Sequence, residues 1–354
     1  MSDSHDHAHL WPGVPLALGS AILFGVSAPM SKLLLATIDP FLLAGLLYLG
    51  AGIGLAIYRL IKSTLVPNKD QAPLTRADWP WLAAATVSGG IIGPVLLLSG
   101  LTRIAASSGA LLLNLESLAT MAIAWLVFRE NVDRRLLAGA AAIVAGAFML
   151  TWDGQGLQLN AGAFLIAGAC LAWGADNNLT RNIAASDPAI IAMIKGLAAG
   201  SFNLVIALYA GASIPSLPLA LAAGLLGFLS VGVSLVFFIL SLRYLGTART
   251  GAYFSLAPFI GAVLSILLLG EPVTIQLLLA GVLMGIGLWI HLSERHVHDH
   301  VHEQIEHEHS HVHDEHHQHA HDGPFSEPHS HRHRHSKMRH AHVHYPDLHH
   351  RHKH

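Results

Sequence analysis

The feature that most limits the fold of this chain is a series of ten apolar runs of about the length that crosses a bilayer. A helix needs about 20 apolar residues to span the hydrocarbon core. Charged residues make up 12% of the chain, against roughly 25% in soluble domains. The runs lie at roughly 14–36, 40–61, 80–101, 104–128, 135–152, 159–180, 187–210, 217–242, 247–269 and 273–292. This pattern predicts an all-α integral membrane protein with about ten transmembrane helices.

The basic residues outside the histidine-rich end of the chain predict the orientation. Nearly all of them fall at one set of helix ends, and only Arg103 falls at the other. Because Lys and Arg are enriched in cytoplasmic loops, we expect both termini in the cytoplasm of a bacterial inner membrane. The residues at the predicted cytoplasmic ends are Arg59, Lys62, Lys69, Arg76, Arg129, Arg134, Arg135, Arg181, Arg243, Arg249 and Arg295.

Two similar segments indicate an internal repeat. Glu130 follows the fourth apolar run and Glu271 follows the ninth, 141 residues later, and a glycine-bearing run comes after each. A weaker match relates Gly25 in the first run to Gly174 in the sixth. Because each repeat holds five helices, an odd number, the second repeat must be inverted relative to the first. Inverted repeats allow a central site to open alternately to either side of the membrane.

The repeat divides the chain into four predicted parts. These are a short histidine-containing cytoplasmic N-terminus at 1–13, a first repeat at 14–152, a second repeat at 159–292 and a histidine-rich tail at 293–354. Small residues at helical spacing in the last run of each repeat predict close helix packing. In the second repeat these are Gly281 and Gly285, and in the first repeat Gly146. A homodimer formed through the glycine faces is a further expectation.

The glutamate junctions, each followed by a glycine-bearing helix, resemble those of the drug/metabolite transporter superfamily, in its EamA-domain branch. A proline commonly lies about thirteen residues before the junction, and Pro258 fits this before Glu271, whereas Ser117 takes the position before Glu130. The resemblance covers roughly 14–292. It implies two EamA-like repeats and the carriage of small metabolites across the inner membrane.

Ionisable residues within the runs are candidate functional groups, because an ionised side chain at a helix centre costs about 2.5–3.5 kcal/mol on insertion scales. Glu116, in the middle of the fourth run, is either a protonatable solute ligand or a structural carboxyl that is neutral or paired with a lysine. Asp176 either joins the same pathway or bonds to Asn177 or Asn178. The candidate solute and proton pathway consists of Glu116, Asn114, Asp176, Asn177, Lys32, Pro29, Trp173, Tyr253 and Ser255.

Several of these candidates have a structural alternative. Pro29, Pro94 and Pro258 are predicted inside helices, where each would free a backbone carbonyl and act as a hinge or as a static kink. Lys32 and Lys195 each either bind solute or extend the side-chain amine to the membrane interface. Trp173 and Tyr253 either line a cavity or pack.

Most of the 27 histidines follow the last apolar run and alternate with valine and acidic residues. The tail has no apolar periodicity, so we expect it to be disordered without a ligand. Neutral imidazole suits zinc, nickel and cobalt; the alternative is a solvated, pH-responsive tail. The predicted metal ligands are His296, His298, His300, His302, His307, His309, His311, His313, His316, His317, His319 and His321.

These features favour a secondary transporter that exports a small organic solute, is coupled to protons and carries a metal-binding regulatory tail. The alternative is a transporter of divalent nickel, cobalt or zinc whose tail loads or senses the ion. A membrane-anchored metal store would not need ten spans. An enzyme would need a nucleophile–base set or a carboxylate pair, and the apolar part offers neither. The sequence has no phosphate-binding GxxxxGK[ST] loop, and we expect no required cofactor and no nucleic-acid partner.

Overall fold

The computed structural model describes residues 12–65, 74–128, 134–152, 160–183, 186–292, 296–302, 306–311, 329–334 and 338–344. Ten helical units precede the tail in these residues, which confirms the predicted all-helical membrane part. We number them spans 1 to 10. Their bounds are Gly13–Leu34, Pro40–Lys62, Arg76–Leu101, Ala106–Val127, Arg134–Thr151, Ala161–Thr180, Pro188–Tyr209, Leu217–Ser241, Thr250–Leu269 and Ile275–Leu292.

Eight of these described spans are long and apolar enough to cross a membrane by length and composition. Span 10 is shorter in its apolar part, Ile275–His291. Span 6 has 20 residues, but it ends in the polar run Asp176-Asn177-Asn178, which lowers its mean hydropathy. The two remaining spans are therefore shortened or made polar, and span 6 carries polar residues where a site could form.

Five of the spans are built from more than one helical segment. Span 1 contains Gly13–Gly25 and Ser27–Leu34, and span 4 contains Ala106–Leu112 and Leu115–Phe128. Span 3 contains the 3-10 turn Arg76–Asp78, the helix Trp79–Ala85, the π-helix Thr86–Ile92 and the helix Gly93–Leu101. Spans 8 and 9 contain Leu217–Gly227, the π-helix Phe228–Val233, Ser234–Phe254 and Ala257–Leu269. Span 2 extends as the helix Pro40–Leu65, and Arg181–Ile183 forms a 3-10 turn after span 6.

The three prolines predicted inside helices instead lie near the start of a helical segment. Pro94 and Pro258 occupy one of the first two positions of their segments, and Pro29 is the third residue of Ser27–Leu34. Proline is favoured in the first turn of a helix, although in span 3 the preceding π-helix runs directly into the segment that contains Pro94. All three prolines nonetheless lie within spans, namely 1, 3 and 9, so the prediction of helix-interior prolines holds for the spans and is wrong only for the shorter segments.

Spans 4 and 9 are interrupted at corresponding places. Span 4 breaks at Leu113–Asn114 and the second half of the chain breaks at Ser255–Leu256. Pro258 follows the second break, while Ser117 stands at the matching position after the first. The interruption therefore does not depend on the proline, and both repeats keep it.

The helix Ser234–Phe254 contains the reversal between spans 8 and 9. Ser241 Oγ and Thr250 Oγ1 lie 3.0 Å apart, whereas nine residues of straight helix would rise about 13.5 Å. The rings of Phe238 and Phe254 are also in contact, with centroids 4.9 Å apart. The chain must therefore turn back between Ser241 and Thr250.

Eight spans form a closed ring, and spans 5 and 10 pack together beside it. The order around the ring is 4, 6, 3, 7, 2, 8, 1, 9 and back to 4. Exchanging every span with its counterpart in the other repeat (1 with 6, 2 with 7, and so on) reproduces the same set of neighbours. The ring therefore has a pseudo-twofold arrangement, and five helices per repeat make the second repeat inverted.

Spans 5 and 10 pack through glycines, and of the glycines predicted for this contact only Gly146 takes part. A Cβ on Gly287 would lie 2.5 Å from the Gly139 carbonyl oxygen, and one on Gly146 would lie 2.9 Å from the Ala280 carbonyl oxygen. Gly281 and Gly285 meet only side chains at ordinary contact distances, 3.7 and 3.8 Å. The prediction of close backbone approach was thus wrong for Gly281 and Gly285, since Gly287 faces span 5 instead.

The tail contains two antiparallel strand pairs in its described residues. β1 (His296–His302) pairs with β4 (Met338–His344), and β2 (Glu306–His311) pairs with β3 (His329–Arg334). This differs from the expectation of a tail without regular structure. Alternation of histidine with other residues has the two-residue period of a strand, and the register sets Glu306 opposite Arg334.

Candidate functional site

Glu116 lies in the first turn of the helix Leu115–Phe128, immediately after the interruption of span 4. Its side chain is half-buried, about midway along the span. The N-terminus of a helix carries a partial positive charge, which stabilises an acidic side chain nearby. The break in span 4 therefore places a carboxylate at membrane depth where the backbone gives it partial compensation.

Spans 4 and 6 are joined by side-chain amides. Asn177 Nδ2 donates to Glu116 Oε1 at 3.0 Å and to Thr120 Oγ1 at 3.1 Å. Asn178 Nδ2 donates to the backbone carbonyls of Thr120 and Gly174, at 3.1 and 2.8 Å. Among side chains that the structure describes, no Lys, Arg or His nitrogen lies within 4.0 Å of the Glu116 carboxylate. Glu116 is thus held by one amide.

Asp176, the residue before Asn177, is paired in a different way. Both of its carboxylate oxygens accept from Lys195 Nζ on span 7, each at 2.6 Å, and Thr180 Oγ1 donates to Oδ1 at 2.9 Å. Asp176 is buried and Lys195 half-buried. The sequence alternative that paired Asp176 with Asn177 or Asn178 is wrong; the partner comes from the next span.

The π-helix of span 3 provides a backbone acceptor at the same level. Tyr48 Oη donates to the Gly89 carbonyl at 2.8 Å, and Trp173 Nε1 donates to the same oxygen at 2.9 Å. In a π-helix the partner of this carbonyl is the N–H five residues later, which is Pro94 and has none. The missing donor of Pro94 is therefore replaced by side chains of spans 2 and 6.

The carbonyl of Gly90 also accepts a hydrogen bond from a side chain of another span. Its α-helical partner would also be Pro94, and it instead accepts from Asn203 Nδ2 of span 7 at 3.3 Å. Gly89 itself leaves room for a neighbour, because a Cβ there would overlap the Asp176 carboxylate. Span 3 thus contributes backbone, rather than side chains, to the site.

These groups share one electrostatic environment. Tyr48 interacts with both Asp176 and Glu116, and the two carboxylates interact with each other. Spans 2, 3, 4, 6 and 7 therefore converge on a cluster that we call the central site: Tyr48, Gly89, Glu116, Trp173, Asp176, Asn177 and Lys195. Such a cluster offers one weakly held acid, one neutralised acid and two aromatic rings.

The other predicted pathway residues lie elsewhere. Lys32 Nζ donates to the carbonyls of Leu101 and Ile104, the second at 2.9 Å, at the connection between spans 3 and 4. Asn114 is buried and donates to the Leu111 carbonyl at 2.8 Å. Ser255 Oγ donates to the Ala252 carbonyl at 2.7 Å, at the interruption of span 9. Pro29 is buried and Tyr253 half-buried, in spans 1 and 9.

Glu271, one of the repeat-junction residues, holds the start of span 4. Its two carboxylate oxygens accept from the backbone N–H groups of Ala106 and Ser107, at 2.7 and 2.9 Å. The carboxylate thereby satisfies two donors that a helix N-terminus leaves open. The counterpart Glu130 lies outside the described residues.

Sequence reasoning missed Tyr48 and Gly89 and treated Lys195 as an interfacial lysine. The signal for the glycine was present, since Gly89-Gly90 lies four to five residues before Pro94. Tyr48 gave no signal, because a tyrosine in an apolar run is typical of packing. Lys195 could be paired with Asp176 only once spans 6 and 7 were known to touch.

No group of three or more His, Cys, Asp or Glu side chains is placed to hold a metal ion in the part of the chain that the structure describes. His313, His316, His317, His319 and His321 lie outside that part. The remaining predicted ligands lie on β1 and β2, at 296–302 and 307–311. Metal binding by the tail stays a prediction.

The ring, its inverted repeats and the polar cluster inside it define a multi-pass membrane protein of the transporter class. The EamA-like transporter family matches residues 11–152 and 160–293. The chain therefore belongs to the EamA-like transporter family, as the sequence resemblance predicted.

Individual proteins agree with this assignment. An uncharacterized transporter of Methanothermobacter thermautotrophicus is 27% identical over 296 residues, 79% of this chain and 86% of that one. A probable 4-amino-4-deoxy-L-arabinose-phosphoundecaprenol flippase subunit ArnE of Pseudomonas paraeruginosa is 38% identical over 86 residues, 24% of this chain and 72% of that one. A crystal structure of a protein shares the fold with a TM-score of 0.59 at 17% identity, over 79% of this chain and 95% of that one.

Proposed function

We propose that this protein is a secondary transporter that exports a small organic solute across the bacterial inner membrane in exchange for protons. The observation that carries the proposal is Glu116: a carboxylate at membrane depth, held by one amide from Asn177 and facing no cation among the described side chains. A carboxylate in that setting is stabilised by binding either a proton or a positively polarised solute group.

Coupling follows when the two ligands compete for the same group. With Glu116 protonated, the solute site is weakened; with solute bound, the proton is released. The inverted repeats supply the second requirement, a site that opens to one side of the membrane at a time. The proton gradient across the inner membrane then sets the direction: protons enter the cytoplasm and the solute leaves it.

The relatives support an organic solute. ArnE is named as a flippase subunit for a lipid-linked aminodeoxy sugar, and such a headgroup carries an amine. The central site has groups suited to such a ligand, namely the Glu116 carboxylate for an amine and the rings of Tyr48 and Trp173 for apolar or sugar surface. A solute with an amine and a compact polar or aromatic body is the class that we propose.

The tail supports a second candidate. Its dense histidines suit divalent zinc, nickel or cobalt, so the protein is alternatively a metal transporter whose tail loads or senses the ion. In the leading proposal the same tail binds metal and regulates export. The two differ in whether metal ions pass through the ring.

The test is solute-driven proton movement in liposomes that contain the purified full-length protein and a trapped pH-sensitive dye. A panel of amino sugars, amines and amino acids is added one at a time under an imposed pH gradient. We expect at least one solute to dissipate the gradient, and Glu116→Gln to abolish that response. The matched control Glu271→Gln changes an acid of the outer connection and should retain it.

Transport of the same solute by Glu116→Gln, with and without the pH gradient, would overturn the proton coupling. Metal is tested in the same liposomes with a trapped zinc indicator, and in cells by nickel, cobalt and zinc content with the full chain and with a chain ending near Arg295. Metal entry that disappears in Glu116→Gln would establish the second candidate. Metal content that follows only the tail would leave the organic solute as cargo.

A further inference from the structure

We propose that the Asp176–Lys195 ion pair fixes the central site at a single negative charge, so that Lys195 restricts the site to one proton or one singly charged organic cation at a time. This inference rests on the proposed exchange of solute and proton at Glu116. It assigns Lys195 a role in specificity, although Lys195 need not touch the solute.

The geometry separates the two acids. Lys195 Nζ bonds to both oxygens of Asp176 at 2.6 Å, and Thr180 supplies a further donor at 2.9 Å. The pair is largely buried, with side chains of Lys195 and Asp176 only 15% and 12% exposed. Asp176 therefore has its charge cancelled in place, while Glu116, bonded to the adjacent Asn177, keeps its own.

Among the residues that the structure describes, the other titratable groups around Glu116 do not add charge. Those in electrostatic contact with it are Asp176 and Cys170 on span 6 and Tyr48 on span 2. Cys170 Sγ bonds to the Leu112 carbonyl at 3.6 Å, and Tyr48 bonds to the Gly89 carbonyl, so each uses its proton as a donor. A phenol and a thiol that retain their protons are neutral.

The valence of the ligand follows from this count. One proton or one monovalent cation on Glu116 makes the site neutral, whereas a divalent cation would leave an uncompensated positive charge within the membrane, which is costly. Exchange of one proton for one singly charged cation then moves no net charge. Loss of Lys195 would add a second uncompensated carboxylate and would favour a divalent ligand.

Binding of two permanently charged probes tests the inference, because neither can change its charge with pH. We would titrate full-length protein in detergent with benzyltrimethylammonium, which has one charge, and with methyl viologen, which has two, by calorimetry. The wild type should prefer the monovalent probe by at least about tenfold, the scale of a single charge–charge contact in a partly buried site. Lys195→Met should reverse the preference.

Two further variants separate charge from structure. Asp176→Asn leaves Lys195 unpaired and makes the site neutral overall, so binding of the monovalent probe should fall by at least about tenfold although Glu116 is intact. The double variant Asp176→Asn/Lys195→Met returns the site to one negative charge and should regain the wild-type preference. Lys32→Met, at the far end of span 1, is the matched lysine control and should change nothing.

A fall in Asp176→Asn followed by recovery in the double variant would support the inference even if Lys195→Met does not fold. The same probe preference in all variants, or no recovery in the double variant, would overturn it. A wild-type protein that binds neither probe, yet moves protons when a neutral solute is added, would overturn this inference and leave the proposed exchange standing. Solute-driven proton movement that is the same in the wild type and in Glu116→Gln in the liposome test would instead overturn the proposed function.

Discussion

The contact between spans 4 and 6 and its symmetry counterpart between spans 9 and 1 have the same shape and opposite chemistry. At the first, which we call the polar junction, a Cβ on Gly174 would lie 2.8 Å from Ala119. At the second, the aromatic junction, a Cβ on Gly25 would lie 2.8 Å from the Ala257 carbonyl oxygen. A glycine lets the two spans approach closely in both.

The side chains around these glycines differ. The polar junction has the Glu116–Asn177 bond, whereas Ala257 takes the position that corresponds to Glu116 in the aromatic junction. There the ring of Phe254 contacts those of Phe24 and Phe238, with centroids 5.4 and 4.9 Å apart. The two junctions thus share their close backbone packing, whereas among the described side chains the Glu116 carboxylate lies only at the polar junction.

The largest expected loss of stability comes from placing a glutamate at the aromatic junction, at the position that corresponds to Glu116. Ala257→Glu should destabilise the protein by about 2.5–3.5 kcal/mol, because no described amide side chain bonds across the aromatic junction to support a carboxylate at membrane depth. The measurement is the free energy of unfolding in mixed SDS micelles, with Ala257→Gln as the size-matched neutral control. Equal stability of the two variants would show that charge does not distinguish the junctions.

The next effect should be the same at both junctions. Gly174→Ala and Gly25→Ala each place a Cβ against backbone, so each should cost about 1–3 kcal/mol as overpacking does. Thermal unfolding in detergent measures the loss. Gly251→Ala, on a helix with no atom near the added Cβ, is the control and should not destabilise. A large loss at only one junction would contradict the shared shape.

Phe254→Leu should reduce stability by about 0.5–1.5 kcal/mol, the contribution of an aromatic pair beyond its buried area, and should leave solute-driven proton flux unchanged. Phe148→Leu, which disrupts the Phe148–Trp152 pair of span 5, is the matched control. Unfolding and liposome flux are measured on the same preparations. A flux defect in Phe254→Leu beyond its loss of folded protein would give the aromatic junction a direct part in exchange.

The smallest stability effect belongs to the polar junction. Asn177→Ala should lower the free energy of unfolding by about 0.6 kcal/mol, the mean for a side-chain hydrogen bond between membrane helices. The same energy corresponds to a factor of roughly three, so solute-driven proton flux should fall by about that factor. Asn182→Ala, in the 3-10 turn after span 6 and bonded to the local carbonyls of Asn178 and Leu179, should be neutral in flux. An unchanged flux in Asn177→Ala would show that the hydrogen bond from Asn177 to Glu116 does not contribute to transport.

The sequence was sufficient for the number of helices and for the repeat. Apolar length is a local property, and the position of Glu271 thirteen residues after Pro258 is visible without a fold. The breaks at Leu113–Asn114 and in the π-helices were not predictable in the same way. They depend on which neighbouring side chains satisfy the freed backbone groups, and no pattern in one helix shows that.

The candidate site was predictable in part for the same reason. Glu116 is conspicuous because a carboxylate at a helix centre is costly wherever the helix lies. Its partner Asn177 and the pairing of Asp176 with Lys195 depend on the order of spans around the ring. Gly287 shows that spacing alone does not identify a packing residue. Span 10 has three glycines at suitable spacing for close helix packing, and only the structure shows that Gly287 is the one in contact with span 5.

The proline of span 3 also has a consequence for biosynthesis. Its missing hydrogen leaves the Gly89 carbonyl to be satisfied by Tyr48 from the same repeat and by Trp173 from the other, and the Gly90 carbonyl to be satisfied by Asn203. When the ribosome has released only spans 1 to 5, two of these three donors have not yet entered the membrane. The first repeat therefore completes its polar contacts only after spans 6 and 7 insert, which makes a chain truncated before them a natural substrate for membrane quality control.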